Sequence, residues 1–278
     1  MKAEQVFRVE NSFLHPPCSE IDTKMITDEE IKQLFRDNWR IHSKHYDYRK
    51  PIFTQLFRGK DPLNWPGQPA GGCKTHKDVF YNKNIIPSYC FSCYKVQIEP
   101  RNVVELFKLM VVLSTVKLPH NNTRKCMTEN RPDVAGFYKG LIYSRSRSDA
   151  SDIAKLVQQE IDAQIAEGIP VHIKRGCSEY SEKFPQYKIV EPEELTMRYI
   201  PDWDALEKSG YATAPIPDDY QKPDDPPPGS YTPKDALAMM GWLKYAATIG
   251  DESYLKICWK LQPFHNVDRP EPFRPIEK

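Results

Sequence analysis

Four side chains between Gly72 and Glu99 have the types and spacing to hold a metal ion. Cys73 and His76 are separated by two residues, as are Cys90 and Cys93, and each short gap lets one tight turn aim a pair of donors inward. Zinc imposes no geometry of its own and takes thiolate and neutral imidazole at the corners of a tetrahedron. Three thiolates and one imidazole leave no open position, so the expected zinc site is structural, and its binding contributes on the order of 10 kcal/mol to folding. The plainer reading makes Cys90 and Cys93 a redox pair or simply buried residues. An iron–sulfur cluster on Cys73, Cys90, Cys93 and Cys126 is the alternative cofactor, although these gaps match no compact ferredoxin-type run.

A second group of residues could bind an anion. Between Arg101 and Arg147 nine Lys/Arg face three acids, whereas between Ile189 and Asp235 eleven acids face four bases. Arg124, Lys125 and Arg131 fall in an expected loop, and Arg145 and Arg147 fall where a strand feeds a helix N-terminus. Backbone N–H groups, the helix dipole and guanidinium groups together suit a phosphate. Against this, Ser148 and Asp149 are ordinary capping residues, an acidic side chain competes with a phosphate, and the basic and acidic segments can equally pair with each other.

The third chemical candidate is Cys177, which follows Lys174-Arg175-Gly176. Positive charge beside a thiol lowers its pKa and favours the nucleophilic thiolate. His172 shares a strand face with Lys174 and does not complete a triad, so a structural cysteine is the default.

These residues need elements to position them. Thr27 with Glu30 forms a capping box ahead of Ile31, Leu34, Phe35 and Trp39, which predicts a helix from Thr27 to about Lys44. From Tyr94 the pattern alternates: a strand over Tyr94–Glu99, a helix capped by Asn102 and running to about Lys117, and a strand over Gly136–Ser144. A helix from near Ser148 to Glu167, stopped by Gly168, and a strand over Pro170–Lys174 complete the alternation. This order predicts an α/β protein with a parallel sheet, or an α+β ferredoxin-like layer, with two helices covering a small sheet. Thr232-Pro233 opens a C-terminal helical hairpin with its second helix over Glu252–Leu261. Four regions are expected: an N-terminal helix and aromatic connector (1–72), the zinc-knuckle module with the α/β core (73–190), an acidic Pro-rich linker (191–233), and the hairpin with an extended tail (234–278).

Composition bounds the rest. The 278 residues, 40% hydrophobic and 28% charged, suffice for one large core, and a net charge of +1 gives no global pull toward a polyanion. The opening Met1-Lys-Ala-Glu-Gln-Val carries no apolar signal region and Leu109–Val116 is far short of a membrane span, so a soluble cytoplasmic protein is expected. Seven cysteines, an odd number, fit free thiols in a reducing compartment. The leading expectation is a zinc-stabilised protein that binds a polyanion, with nucleic acid as first choice, through residues 101–147. The alternatives are a cysteine- or metal-dependent enzyme acting on an anionic or phosphorylated ligand through Cys177, Arg145 and Arg147, and an interaction subunit that docks a protein partner through the Pro-rich strap and tail.

Overall fold

The computed structural model describes residues 25–42, 55–58, 72–120, 122–131, 134–211 and 233–258. The Pro-rich strap over 214–232, the tail over 263–278 and most of the aromatic connector lie outside the described residues.

Helix α1 (Asp28–His42) begins where the capping box places it. The Glu30 N–H donates to Thr27 Oγ1 at 3.2 Å, and the Thr27 N–H donates back to the Glu30 carboxylate at 2.8 Å, so two otherwise orphaned donors satisfy each other. Ile31, Leu34 and Phe35 are buried in the main core, and Phe35 meets Phe107 edge to face at 6.0 Å.

Strands β1 (Gln55–Arg58), β2 (Tyr94–Ile98), β3 (Arg124–Thr128), β4 (Tyr138–Ser144) and β5 (Val171–Arg175) form one sheet in the order β1-β3-β4-β2-β5. Every neighbouring pair is antiparallel. Helices α2 (Gly72–Lys83) and α3 (Ser88–Ser92) precede β2, α4 (Val103–Thr115) follows β2, and α5 (Arg147–Gln164) follows β4. Each of α4 and α5 joins two strands that run the same way but are separated by an antiparallel third. That is the split β-α-β-β-α-β arrangement of ferredoxin-like layers, with β1 added beside β3. Of the two expected architectures the antiparallel one forms, and the parallel sheet does not.

Both crossover helices pack on one side. Val96 and Ile98 on β2, Cys126 on β3 and Ile142 on β4 point into the main core with Leu106, Met110, Ile153, Val157 and Ile161 of the helices. By the pleat, Lys95 and Gln97, Lys125, Lys139, Leu141 and Tyr143, and His172 and Lys174 belong to the other side. Asn102 caps α4 as expected, its side chain accepting the Glu105 N–H at 2.9 Å.

Three local expectations change. Strand β3 occupies chain expected to be loop, because its alternation is carried by Arg124 and Cys126 rather than by aliphatic residues. Helix α5 starts two residues early: Ser146, not Ser148, is the cap, its hydroxyl accepting the Asp149 N–H at 3.0 Å. After helix α7 (Pro233–Ile249) the chain forms a 3-10 stretch over Glu252–Lys256 where the second α-helix was expected to begin, and residues 259–261 of that expected helix lie outside the described residues. The described part of the expected linker is folded, with 3-10 turns at Glu193–Leu195 and Pro201–Trp203 followed by helix α6 (Asp204–Tyr211), which packs on α2. No described helix is long and apolar enough to cross a membrane.

Candidate metal centre and cationic sheet face

The knuckle donors gather at one end of the sheet, on helices rather than on the tight turns expected. Cys73 and His76 lie on α2, three residues apart and therefore on one helix face. Cys90 lies in the short α3, and Cys93 immediately precedes β2. Cys90 Sγ is 3.6 Å from His76 Nδ1 and 3.3 Å from the Tyr180 hydroxyl. Around them a second core of Phe80, Ile86, Cys90, Tyr180 and Tyr187 is distinct from the core under the sheet. Cys177 packs against this second core. Cys126 instead sits in the main core at 2% exposure, on the helix-covered face, so the structure does not bring it to the other three thiols.

Two buried polar groups hold the thiol-bearing turn in place. Glu207, 6% exposed, accepts from the Ser88 N–H and hydroxyl, both at 2.9 Å, from the Tyr199 hydroxyl at 2.8 Å and from the Tyr211 hydroxyl at 3.1 Å. Arg175, 5% exposed, donates to the carbonyls of Phe91 (2.8 Å), Tyr187 (3.2 Å) and Met197 (3.3 Å) and to the Tyr94 hydroxyl (2.9 Å). Its guanidinium also lies 4.8 Å from the centre of the Tyr94 ring and 5.0 Å from that of Tyr187. Residue 176 adjoins Cys93 directly: the Gly176 N–H donates to the Cys93 carbonyl at 2.9 Å. A Cβ on Gly176 would stand 2.2 Å from Cys93 Sγ, so no side chain fits there while Cys93 keeps this position.

Burial dominates the ionisation of these groups. It pushes His76 down to about 4, with the Glu207 charge opposing only in part. It pushes Cys90 and Cys93 well above the ordinary thiol value, and the other thiols add to the rise. Cys177 is pushed up to about 12 by burial, then by the charges of Glu179 and Cys73, while Lys77 and Lys95 pull weakly the other way. The positive neighbours read from the sequence are therefore outweighed: Arg175 turns away to its carbonyls, and Lys174 lies 3.8 Å from Glu99. In this structure burial therefore opposes ionisation of the Cys177 thiol. As the side chains stand, no group of three or more His, Cys, Asp or Glu among the described residues could hold a metal ion.

The five expected anion-binding residues do not form one surface. Arg124 is 7% exposed and donates to the carbonyls of Leu113 (2.7 Å) and Val116 (2.8 Å), closing the C-terminus of α4, and burial lowers its pKa to about 10. At the start of α5 the anion position is filled from within: Asp149 accepts the Arg145 N–H at 3.1 Å and the Asn122 amide at 3.3 Å. Arg147 bridges to Glu191 at 3.1 Å and Glu193 at 2.9 Å, so the basic and acidic segments do pair there. Arg131 binds Glu129 through two nitrogens, at 2.9 and 2.8 Å.

Of the five, Lys125 lies on the sheet face that no described helix covers, where Gln97, Lys139 and Leu141 are buried, and there it has companions that sequence reading passed over. Lys95 stands opposite Tyr143 across the β2–β4 pair, and the Lys125 ammonium lies 5.9 Å from the centre of the Tyr143 ring. Lys95, Tyr143 and Lys125 thus make a line across three adjacent strands, each partly exposed. Burial holds both ammonium groups below the usual lysine value, and Arg131 repels each of them in addition. Glu179, which pairs with Lys77 at 2.7 Å, offsets part of this charge from the rim. The signal available in advance was the apolar–polar alternation of β2, which puts Lys95 on the side opposite Val96 and Ile98; β4, with Leu141, Ile142 and Tyr143 in a row, gives no such signal. Compared with protein-family models, curated proteins and solved structures, the chain matches none.

Proposed function

We propose that this chain binds a single-stranded nucleic acid at the partly exposed residues of the sheet face that no described helix covers, and that a thiophilic metal held by the knuckle donors fixes α2 and α3 against the end of that face. The observation that carries the reading is the line Lys95–Tyr143–Lys125. Two recessed ammonium groups flank a partly exposed aromatic ring at a spacing set by adjacent strands. An aromatic on an antiparallel sheet face stacks a base without regard to sequence, while the flanking cations take the phosphates. Recessed cations held below their usual pKa gain the most from an incoming anion, since it restores the interaction that burial removed. Arg124 and Arg147 are outside this interface, the first on the carbonyls that end α4 and the second on Glu191 and Glu193. The metal donors in this reading are Cys73, Cys90 and Cys93 with His76 as the sequence-derived fourth, and zinc is the metal their softness and number fit best.

The test is fluorescence anisotropy with a labelled single-stranded RNA or DNA oligonucleotide over a range of salt concentrations. Binding should weaken steeply as salt rises. The variant K95Q/K125Q removes two phosphate contacts and should flatten the slope of log K against log salt by about 1.4. An unchanged slope and affinity in a variant that keeps its fold would place the site elsewhere, and no binding at low salt would refute the reading.

A further inference from the structure

The face that carries Tyr143 continues on β5 in two further side chains, His172 and Lys174. We infer that these two form a second nucleotide subsite, so that a single strand crosses the β-strands from Lys125 over Tyr143 and Lys95 to the β5 edge. This rests on the reading that Tyr143 stacks a base.

The register fixes the direction of the path. Lys95 stands opposite Tyr143 on β4 and opposite Lys174 on β5, so these three side chains form one row across three adjacent strands. In the next row Leu141 and Gln97 are buried, at 7% and 5% exposure, while His172, opposite Gln97, is exposed. A ligand laid along β2 or β4 would meet that buried row on one side. On the other side both strands end within one residue, β2 at Tyr94 and β4 at Ser144. The accessible side chains form a band that crosses the strands and ends on β5, the edge of the sheet.

The spacing suits two nucleotides. Adjacent strands lie about 4.8 Å apart, and residues two apart on one strand about 6.8 Å. Tyr143 and His172, two strands and one such step apart, are separated by about 12 Å in the sheet, several times the rise of about 3.4 Å between stacked bases. The two rings therefore meet different nucleotides, in keeping with the roughly two or three bases that a four-stranded sheet stacks. Lys95 lies between the rings and Lys174 beside the second, where each takes a phosphate.

Both β5 side chains are available for this. His172 makes no hydrogen bond or ion pair among the described residues. The Lys174 side chain is 45% exposed and lies 3.8 Å from Glu99, which is held more closely by the Gln97 amide at 2.6 Å and by Lys139 at 3.2 Å. Lys174 can turn to a phosphate without stranding that carboxylate. Partial burial lowers the Lys174 pKa, Glu99 opposes, and Lys139, Lys95 and Lys188 repel the ammonium in addition; an anion between Lys95 and Lys174 relieves that repulsion. A lysine on an edge strand also deters pairing with another chain, but that role gives His172 nothing to do and leaves binding untouched by either residue.

The experiment is fluorescence anisotropy on the full chain with labelled oligothymidylates and oligouridylates, from a single nucleotide to about eight. The DNA and RNA series share base and phosphate, and the one that binds more tightly reads the subsite. Affinity should rise as the oligonucleotide lengthens from one nucleotide to about three. H172A should cost about 5–30-fold and remove the last part of that rise, while H172F, which restores an aromatic face, should recover wild-type affinity. K174Q should flatten the slope of log K against log salt by about 0.7. Wild-type affinity and slope in H172A/K174Q, with the losses in K95Q/K125Q still present, would overturn the second subsite and leave the Tyr143 reading standing. A loss in H172A that H172F does not recover would overturn the stacking role of His172. A wild-type chain that binds neither series at any length would overturn both readings.

Discussion

Replacing Arg175 by Met removes every donor of a buried fork while keeping the length of the side chain. The wild-type guanidinium satisfies the carbonyls of Phe91, Tyr187 and Met197 and the Tyr94 hydroxyl, and no carboxylate is among these partners. Each hydrogen bond to a charged donor contributes about 1.5–3 kcal/mol, and a buried carbonyl left without a donor costs about 1–3 kcal/mol. The terms overlap, and Met recovers apolar packing and avoids burying a charge, so the net loss should be about 4 kcal/mol. Because Phe91 lies between Cys90 and Cys93, the loss should include the position of the thiols. R175M should therefore unfold at lower urea with an unchanged slope, and it should release bound metal to a chelator faster than wild type. R175K restores the charge without the planar fork and should recover less than half of the stability. A loss below about 1 kcal/mol in R175M, or wild-type behaviour in R175K, would refute the view that Arg175 acts as a multi-carbonyl clamp.

Two further predictions concern the charged pair at the opposite end of the sheet face. Lys139, 2% exposed, lies 3.2 Å from Glu99, so K139M should cost about 3 kcal/mol by removing the nearer of the carboxylate's two cations, while K139M/E99Q should cost less than the two single changes added; simple additivity in urea unfolding would rule out the coupling. Burial raises the Glu99 pKa, but Lys139, the Gln97 amide and Lys174 together lower it below 4.5. A carboxyl depressed in the folded state stabilises above its unfolded value and loses that contribution as pH falls through its folded value. Wild-type stability should accordingly decline as pH drops below about 4.5, and E99Q should show a shallower decline; parallel curves would remove Glu99 as a source of acid sensitivity.

Much of the scaffold was legible because its signals are local. The Thr27/Glu30 and Asn102/Glu105 caps depend on residues three apart, and the stripe of Ile153, Val157 and Ile161 depends only on helical period. Strand β3 was not legible: a buried arginine at position 124 makes sense only once the carbonyls at the end of α4 are in place. Strand direction was also hidden, since periodicity reports which face is buried and carries no information on which strands a helix skips. At the site, pair spacing located Cys73, His76, Cys90 and Cys93 in one region. It could not bring in Cys177, whose proximity depends on the β2–β5 register that sets Gly176 against Cys93. The same register and pleat gather Lys95, Tyr143 and Lys125, which come from three separate segments, whereas the local run of positive charge from Arg124 to Arg147 was mostly absorbed into caps and internal ion pairs.

The measurement closest to the central claim is ultraviolet cross-linking of a single-stranded oligonucleotide to the full chain at low salt, with the attachment sites mapped by mass spectrometry. The sheet-face reading predicts attachment at Tyr143 and in the peptides that carry Lys95 and Lys125, diminished by Y143L and by added salt. Attachment confined to α5 and its neighbouring arginines, or cross-linking that is unchanged in Y143L, would contradict it.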